Sequence, residues 1–175
     1  MPVGKPNHRR RLAGSRAKAW GSFFEDAFAT KCRFSAMAIT RIPDSCRQIS
    51  AQRMIRVKSP FDWIVSFDGK SLVIDTKTTM ANAFGFSQID PDQVRELLHH
   101  ERAHVLAGYV VWLRGVDQVI FVPASLLAAA IGEEGSFKQD SPGVWRLGSS
   151  LEFDLRKIFA IRANDTGIAL TPLLV

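Results

Sequence analysis

A chain of 175 residues that is 46% hydrophobic and carries a net charge of +6 is long enough to bury one proper core and too apolar for a disordered segment. No apolar run approaches the roughly 20 residues of a membrane span, and the charged N-terminus lacks the apolar core of a secretory signal, so the sequence reads as cytoplasmic with no membrane partner. The charge is uneven: residues 1–60 hold 13 Lys and Arg against 3 Asp and Glu, whereas residues 61–175 hold 10 against 14. Such a split implies either a polyanionic partner, with the acidic residues kept for a metal, or a solubilising basic tail. Cys32 and Cys46 match no zinc spacing and supply no disulfide framework, as in a reducing compartment.

In chain order, residues 1–14 with His8-Arg9-Arg10-Arg11 read as a mobile basic arm, and residues 15–175 as a single domain. A helix is predicted from near Ser15 to about Phe34, with Trp20, Phe23, Phe24, Ala27 and Phe28 as its buried stripe. Ala36 to Ile42 reads as a strand ended by Pro43. Residues 43–58, with Arg47, Arg53, Arg56 and Lys58, show no core pattern and read as a projecting basic loop or hairpin. Strands follow over Phe61–Phe67 and Lys70–Lys77, then an irregular loop to Ile89 carrying Phe84 and Phe86, which are candidates for stacking on bases. Asp90-Pro91-Asp92-Gln93 is a helix start, with Asp90 as cap and Gln93 able to close a capping box; the helix is expected to reach Leu106. Two apolar strands, Gly108–Leu113 and Gln118–Val122, precede a short helix over Ser125–Ile131. The pattern then weakens, with a turn at Ser141-Pro142-Gly143 and a short helix around Leu155–Ala160. The order defines an α/β fold with a mixed central sheet flanked by helices.

The chemistry concentrates in the central hairpin. Asp68-Gly69 is a strong two-residue turn, so Phe67 faces Lys70, and by the same count Asp62 faces Asp75. Alternation puts Asp75 and Lys77 on one face and Thr76 on the other. Facing carboxylates have Cβ atoms roughly 5 Å apart and repel. A divalent cation between them removes that cost, which outlines a phosphodiester-cleaving metal site with Lys77 beside it. Asp62 and Asp75 are the expected ligands of Mg²⁺ or Mn²⁺, the Thr76 backbone carbonyl is a third, and Lys77 would orient or deprotonate the attacking water. Glu25, on a helical track with Gly21 and Ala29, is either a further ligand or a solvated acid. Gln93 either reaches a water or phosphate near the metal or merely caps its helix. Trp63, Val65, Phe67, Leu72 and Ile74 share the face that packs on a helix. The opposite face, with Asp62, Ile64, Ser66, Val73, Asp75 and Lys77, is expected to open into a cleft.

A competing motif is His100-Glu101-Arg102-Ala103-His104, which matches the H-E-x-x-H pattern of zinc proteases. No downstream His offers a third ligand. A polar helix face complementing the helix dipole explains the residues more simply.

Glu25, Asp62, Asp75-Thr76-Lys77 and Gln93 together resemble the PD-(D/E)xK nuclease pattern. The stretches Gly21-Ser-Phe-Phe-Glu25, Lys58-Ser-Pro-Phe-Asp62 and Gln93-Val-Arg-Glu-Leu-Leu98 narrow the resemblance to the RecU-like Holliday junction resolvases of bacteria and phages. It runs from Gly21 to about Ser125. Asp75 stands where that family usually carries Glu. The resemblance implies a restriction-endonuclease-like fold and an Mg²⁺-dependent homodimer that nicks opposing strands of a four-way DNA junction in recombination and repair. Residues 44–57 would form a stalk entering the junction. Phosphates would be held by Arg9, Arg10, Arg11, Arg16, Lys18, Arg47, Arg53, Arg56 and Lys58. Other readings of the same residues are a nuclease of restriction-like or flap specificity, a non-catalytic junction-binding protein and the zinc protease.

Overall fold

The computed structural model describes residues 8–50, 53–57 and 59–160, with side chains described over 18–44 and 59–160. The first helix, α1, spans His8–Phe34. It begins seven residues before the predicted start, because Arg, Leu and Ala are good helix formers and Gly14 alone does not stop them. Part of the expected basic arm is therefore helical, and residues 1–7 lie outside the described residues. The helix ends in a Schellman arrangement: Met37 N–H bonds to the Cys32 carbonyl and Ala36 N–H to that of Arg33, with Ala36 at φ 56°.

The main sheet has six strands: β1 (Ala38–Arg41), β4 (Trp63–Phe67), β5 (Lys70–Thr79), β7 (Leu106–Leu113), β8 (Gln118–Pro123) and β10 (Trp145–Gly148), hydrogen-bonded in that order. All neighbours are antiparallel except β5 and β7, which run parallel. A parallel pair needs a crossover, and α2 (Pro91–Arg102) supplies it. The α/β class with a mixed sheet between helices is thus as expected. Two further pairs stand outside the sheet. β2 (Ser45–Ser50) and β3 (Arg53–Val57) form a hairpin inside the segment expected as stalk, and β6 (Phe84–Gly85) pairs with β9 (Ser136–Phe137).

Two cores lie on the two faces of the sheet. On one, Phe24, Phe28 and Cys32 of α1 meet Trp63, Val65, Leu72 and Ile74, with Phe153, Ile158 and Phe159 closing the layer beside α4 (Arg156–Phe159). The hairpin face predicted to pack on a helix does so. Burial pushes the Cys32 thiol up to about 12, which leaves it unreactive in the folded protein. On the other face, α2 and α3 (Ala124–Ala129) cover Val73, Tyr109, Val111, Ile120 and Val122. The predicted stripe of α1 needs correction at its N-terminal end, where Trp20 is 39% and Phe23 51% exposed. These rings pack on each other and on Trp112, and Arg114 stacks on Trp20 with its guanidinium 3.7 Å from the ring centroid. Among the described residues, no helix is long and apolar enough to cross a membrane.

Candidate active site

The register of the central hairpin is the predicted one. Phe67 pairs with Lys70 and Trp63 with Ile74, and the Asp62 N–H bonds to the Ile74 carbonyl at 3.0 Å. Asp68 at φ 50° and Gly69 at φ 70° are both left-handed, as a primed two-residue turn requires. The regular pairing ends at Trp63 and Ile74: the Asp62 N–H goes to the carbonyl of Ile74, the residue that already faces Trp63, so the ladder does not continue to the predicted pair of Asp62 with Asp75. Here β4 stops and β5 continues, so the side of β5 that β4 covered is left without a strand. The Asp62 carboxylate fills that place: its Oδ2 accepts from the Thr76 N–H at 2.8 Å and from Thr76 Oγ1 at 2.7 Å. In a strand, the N–H and C=O of one residue point to the same side. The Thr76 carbonyl therefore faces the vacated side, where Asp62 lies.

Asp75 is almost entirely enclosed, at 2% exposure, which corrects the expectation of an open cleft on this face. The first turn of α2 covers it. Lys77 forms an ion pair with Asp75 Oδ2, and Gln93 Nε2 donates to Asp75 Oδ1 at 2.9 Å. Gln93 Oε1 in turn accepts from Lys77 Nζ at 2.9 Å. Gln93 thus turns away from the capping-box role that the sequence also allowed. Asp90 caps the helix by accepting from the N–H groups of Asp92 and Gln93, while the Gln93 side chain turns inward to Asp75 and Lys77. An open cavity of about 290 Å³ borders the outer side of Gln93, with Ser59, Pro60 and Asp90 among its lining residues.

Tyr109 completes the cluster and carries no motif signal. It is the partner of Asp75 in the parallel register, fully buried, and its hydroxyl donates to Gln93 Oε1 at 3.3 Å. Lys77 Nζ stands 5.0 Å from the ring centroid. Burial, reinforced by the charge of Asp75, drives the phenol pKa above its ordinary value, so Tyr109 remains a neutral donor at any working pH. A signal was present in the sequence: a lone Tyr within an otherwise apolar strand needs a partner for its hydroxyl.

Glu25 has a different partner. Its Oε2 pairs with Arg41 Nη2 at 2.6 Å, and Arg41, the last residue of β1, also lies 5.4 Å over the Trp63 ring. Burial raises the Glu25 pKa first and the Asp62 charge second, with Arg41 and Lys77 opposing. Those couplings place Glu25 within electrostatic reach of the two site residues. The small-residue track does not explain its position, since Gly21 has open space around it.

Two carboxylates and a backbone carbonyl are hard oxygen donors that suit Mg²⁺ or Mn²⁺, which are held by one or two carboxylates together with water and substrate phosphate. Among the described residues no three of His, Cys, Asp or Glu gather as a metal cage. Instead, each carboxylate is satisfied internally, Asp62 by Thr76 and Asp75 by Lys77 and Gln93. The donor set fits a cation that displaces Lys77 from Asp75.

The remaining residues from the sequence are dispersed. Lys18 is exposed on α1. Arg9, Arg10, Arg11 and Arg16 belong to α1, and Arg47, Arg53 and Arg56 to the β2–β3 hairpin, in stretches whose side chains are not described; Lys58 lies outside the described residues. Phe84 is core, edge-on to Tyr109, and Phe86 packs on Phe137 at 4.7 Å, so neither ring is free to take a base.

The His-Glu motif does not form a zinc site. α2 ends at Arg102, and His104 is the left-handed residue of a Schellman cap, at φ 62°, with Val105 N–H on the His100 carbonyl and His104 N–H on that of Glu101. The two imidazoles therefore do not sit one turn apart on a helix. His100 packs edge-on against Phe61, and Glu101 accepts from the N–H and hydroxyl of Ser125 at 2.8 and 3.3 Å, in the first turn of α3. Burial raises the Glu101 pKa and the Ser125 bonds oppose it. Glu101→Ala is expected to cost about 1–2 kcal/mol in thermal or urea unfolding, the value of a lost helix cap.

No family model matches the chain, and no curated protein matches it. Among solved structures it is similar to the Holliday junction resolvase Hjc of Archaeoglobus fulgidus, at 15% identity and a TM-score of 0.45, over 75% of this chain and 91% of that one.

Proposed function

We propose that this chain is a divalent-metal-dependent phosphodiesterase acting on DNA, and more narrowly an endonuclease that resolves four-way junctions as a homodimer. The observation that carries the reading is the gathering of two carboxylates and a lysine where β4 ends, with the Asp62 carboxylate on Thr76 and Lys77 ion-paired to the neighbouring Asp75. Asp62, Asp75 and the Thr76 carbonyl would hold Mg²⁺ or Mn²⁺, with Glu25 able to join once released from Arg41. The bound cation supplies Lewis-acid charge neutralisation at the phosphoryl oxygens.

The chain's own groups would do the rest. Lys77 places an ammonium where negative charge develops on the phosphate and can hold the attacking water by hydrogen bond. Gln93 fixes the height of that ammonium over Asp75. Arg41, freed from Glu25, presents a guanidinium that is well exposed and suited to a phosphate oxygen. Basic residues of α1 and of the β2–β3 hairpin would bind flanking phosphates, which makes affinity fall steeply with salt. The junction preference is supported by the resemblance of the motifs and by a basic hairpin separate from the main sheet.

The test is cleavage of a mobile four-way junction against linear duplex of the same sequence, with Mg²⁺ or Mn²⁺ present. Paired symmetric nicks in the junction alone are expected. Equal cutting of both substrates would keep the nuclease and remove the junction specificity, and binding without cutting would leave a non-catalytic junction-binding protein.

A further inference from the structure

The lysine of this site has three partners, and they are not equivalent. Two are Asp75, through the ion pair, and Gln93, whose Oε1 accepts from Nζ at 2.9 Å. The third is the face of Tyr109, 5.0 Å from Nζ to the ring centroid. With Asp75 engaged by a cation, Lys77 would lose the first partner. The ammonium then depends on the amide and the ring, and both trace to Tyr109.

The amide of Gln93 is directional. Its oxygen faces an ammonium and its NH₂ faces a carboxylate, with Nε2 donating to Asp75 Oδ1 at 2.9 Å. Once Asp75 turns its charge to a cation, the Asp75 side of that arrangement weakens. The Tyr109 hydroxyl, donating to Oε1 at 3.3 Å, is the contact that still specifies which end of the amide meets Lys77. Tyr109 is suited to that duty because it does not move. It is fully buried in the middle of β7 and edge-on to Phe84. The hydroxyl therefore ties the central strand to the turn of helix that carries Gln93.

We infer that Tyr109 is a positioning residue for Lys77, acting through the Gln93 amide and through its own ring, and that it keeps the ammonium in place when Asp75 binds the cation. The inference rests on the nuclease reading for its consequence, although the Tyr109–Gln93 contact stands on geometry alone.

Tyr109→Phe keeps the ring and the packing and removes only the hydroxyl. Two measurements decide the matter. In the metal-free protein, solvent exchange of the Gln93 side-chain NH₂ protons, followed by NMR, should accelerate about tenfold in Tyr109→Phe, as loss of one buried hydrogen bond implies. In single-turnover cleavage, kcat should fall about tenfold with KM for DNA unchanged. In a Gln93→Ala background, the same substitution should change kcat by less than about twofold, because the residue acts through Gln93. Unchanged exchange would overturn the inference, and so would a Tyr109→Phe effect on kcat that adds in full to that of Gln93→Ala. If the wild-type protein cuts no DNA, the nuclease reading fails, and the exchange measurement alone decides whether Tyr109 fixes Gln93.

Discussion

Lys77→Met is expected to abolish cleavage and to destabilise the metal-free fold in the same stroke. Asp75 is 2% exposed and forms an ion pair with Lys77. Removing one member of a buried pair leaves an uncompensated charge, at a cost of about 3–5 kcal/mol. Mg²⁺ should return part of that stability by binding the folded state, and more in the variant than in wild type, where the cation competes with the ammonium. The double variant Asp75→Asn/Lys77→Met removes both charges and should recover most of the loss in urea unfolding. Cleavage should fall by about 10²–10³-fold in Lys77→Met, the value of one preorganised donor to developing charge, with junction affinity retained. A Lys77→Met protein as stable as wild type, indifferent to Mg²⁺, would remove the picture of Lys77 as the resident cation of the site.

Asp62→Asn carries the second largest effect and separates its two duties. The Asp62 carboxylate accepts twice from Thr76, where β5 runs beyond the end of β4. An asparagine oxygen can still accept these bonds without the charge, so unfolding should shift by only about 1 kcal/mol, the difference between charge-assisted and neutral bonds. Cleavage should nevertheless fall by about 10³-fold, because a neutral amide is a poor ligand for a hard divalent cation. Asp62→Ala should lose both, with a stability cost of about 1.5–3 kcal/mol from the Thr76 donors left without a partner. Equal stability losses in the Asn and Ala variants would show that the charge itself holds the end of the strand.

The part of this site that sequence made legible followed from one strong local rule. Asp68-Gly69 permits left-handed backbone at both turn positions, and that set the hairpin register residue by residue from Phe67 and Lys70 as far as Trp63 and Ile74. The Asp90 cap was equally local. What sequence left open depended on contacts distant along the chain. Gln93 could serve its own helix or the site, and only the approach of α2 to β5 decides it. Tyr109 enters because β5 and β7 are parallel neighbours, a pairing that no local signal specifies. Arg41 reached Glu25 through the same kind of tertiary contact.

The errors have physical causes as well. Trp20 and Phe23 continue the apolar period of α1 but stay exposed, because periodicity cannot report what lies opposite a helix face. α2 stops four residues before the predicted Leu106 because His104 adopts the left-handed cap position usually marked by glycine, and that same stop disperses the His-Glu motif. The strands β9 and β10 are two and four residues long, too short to show an alternation.

The most direct test of the account is single-turnover cleavage of a four-way junction by wild type and Asp75→Asn, each with Mg²⁺ and with chelator. Cleavage by wild type in Mg²⁺ alone, with loss of about 10³-fold or more in Asp75→Asn at unchanged junction binding, is the predicted result. Metal-independent cleavage, or an Asp75→Asn protein as active as wild type, would contradict it and move the chemistry away from the central hairpin.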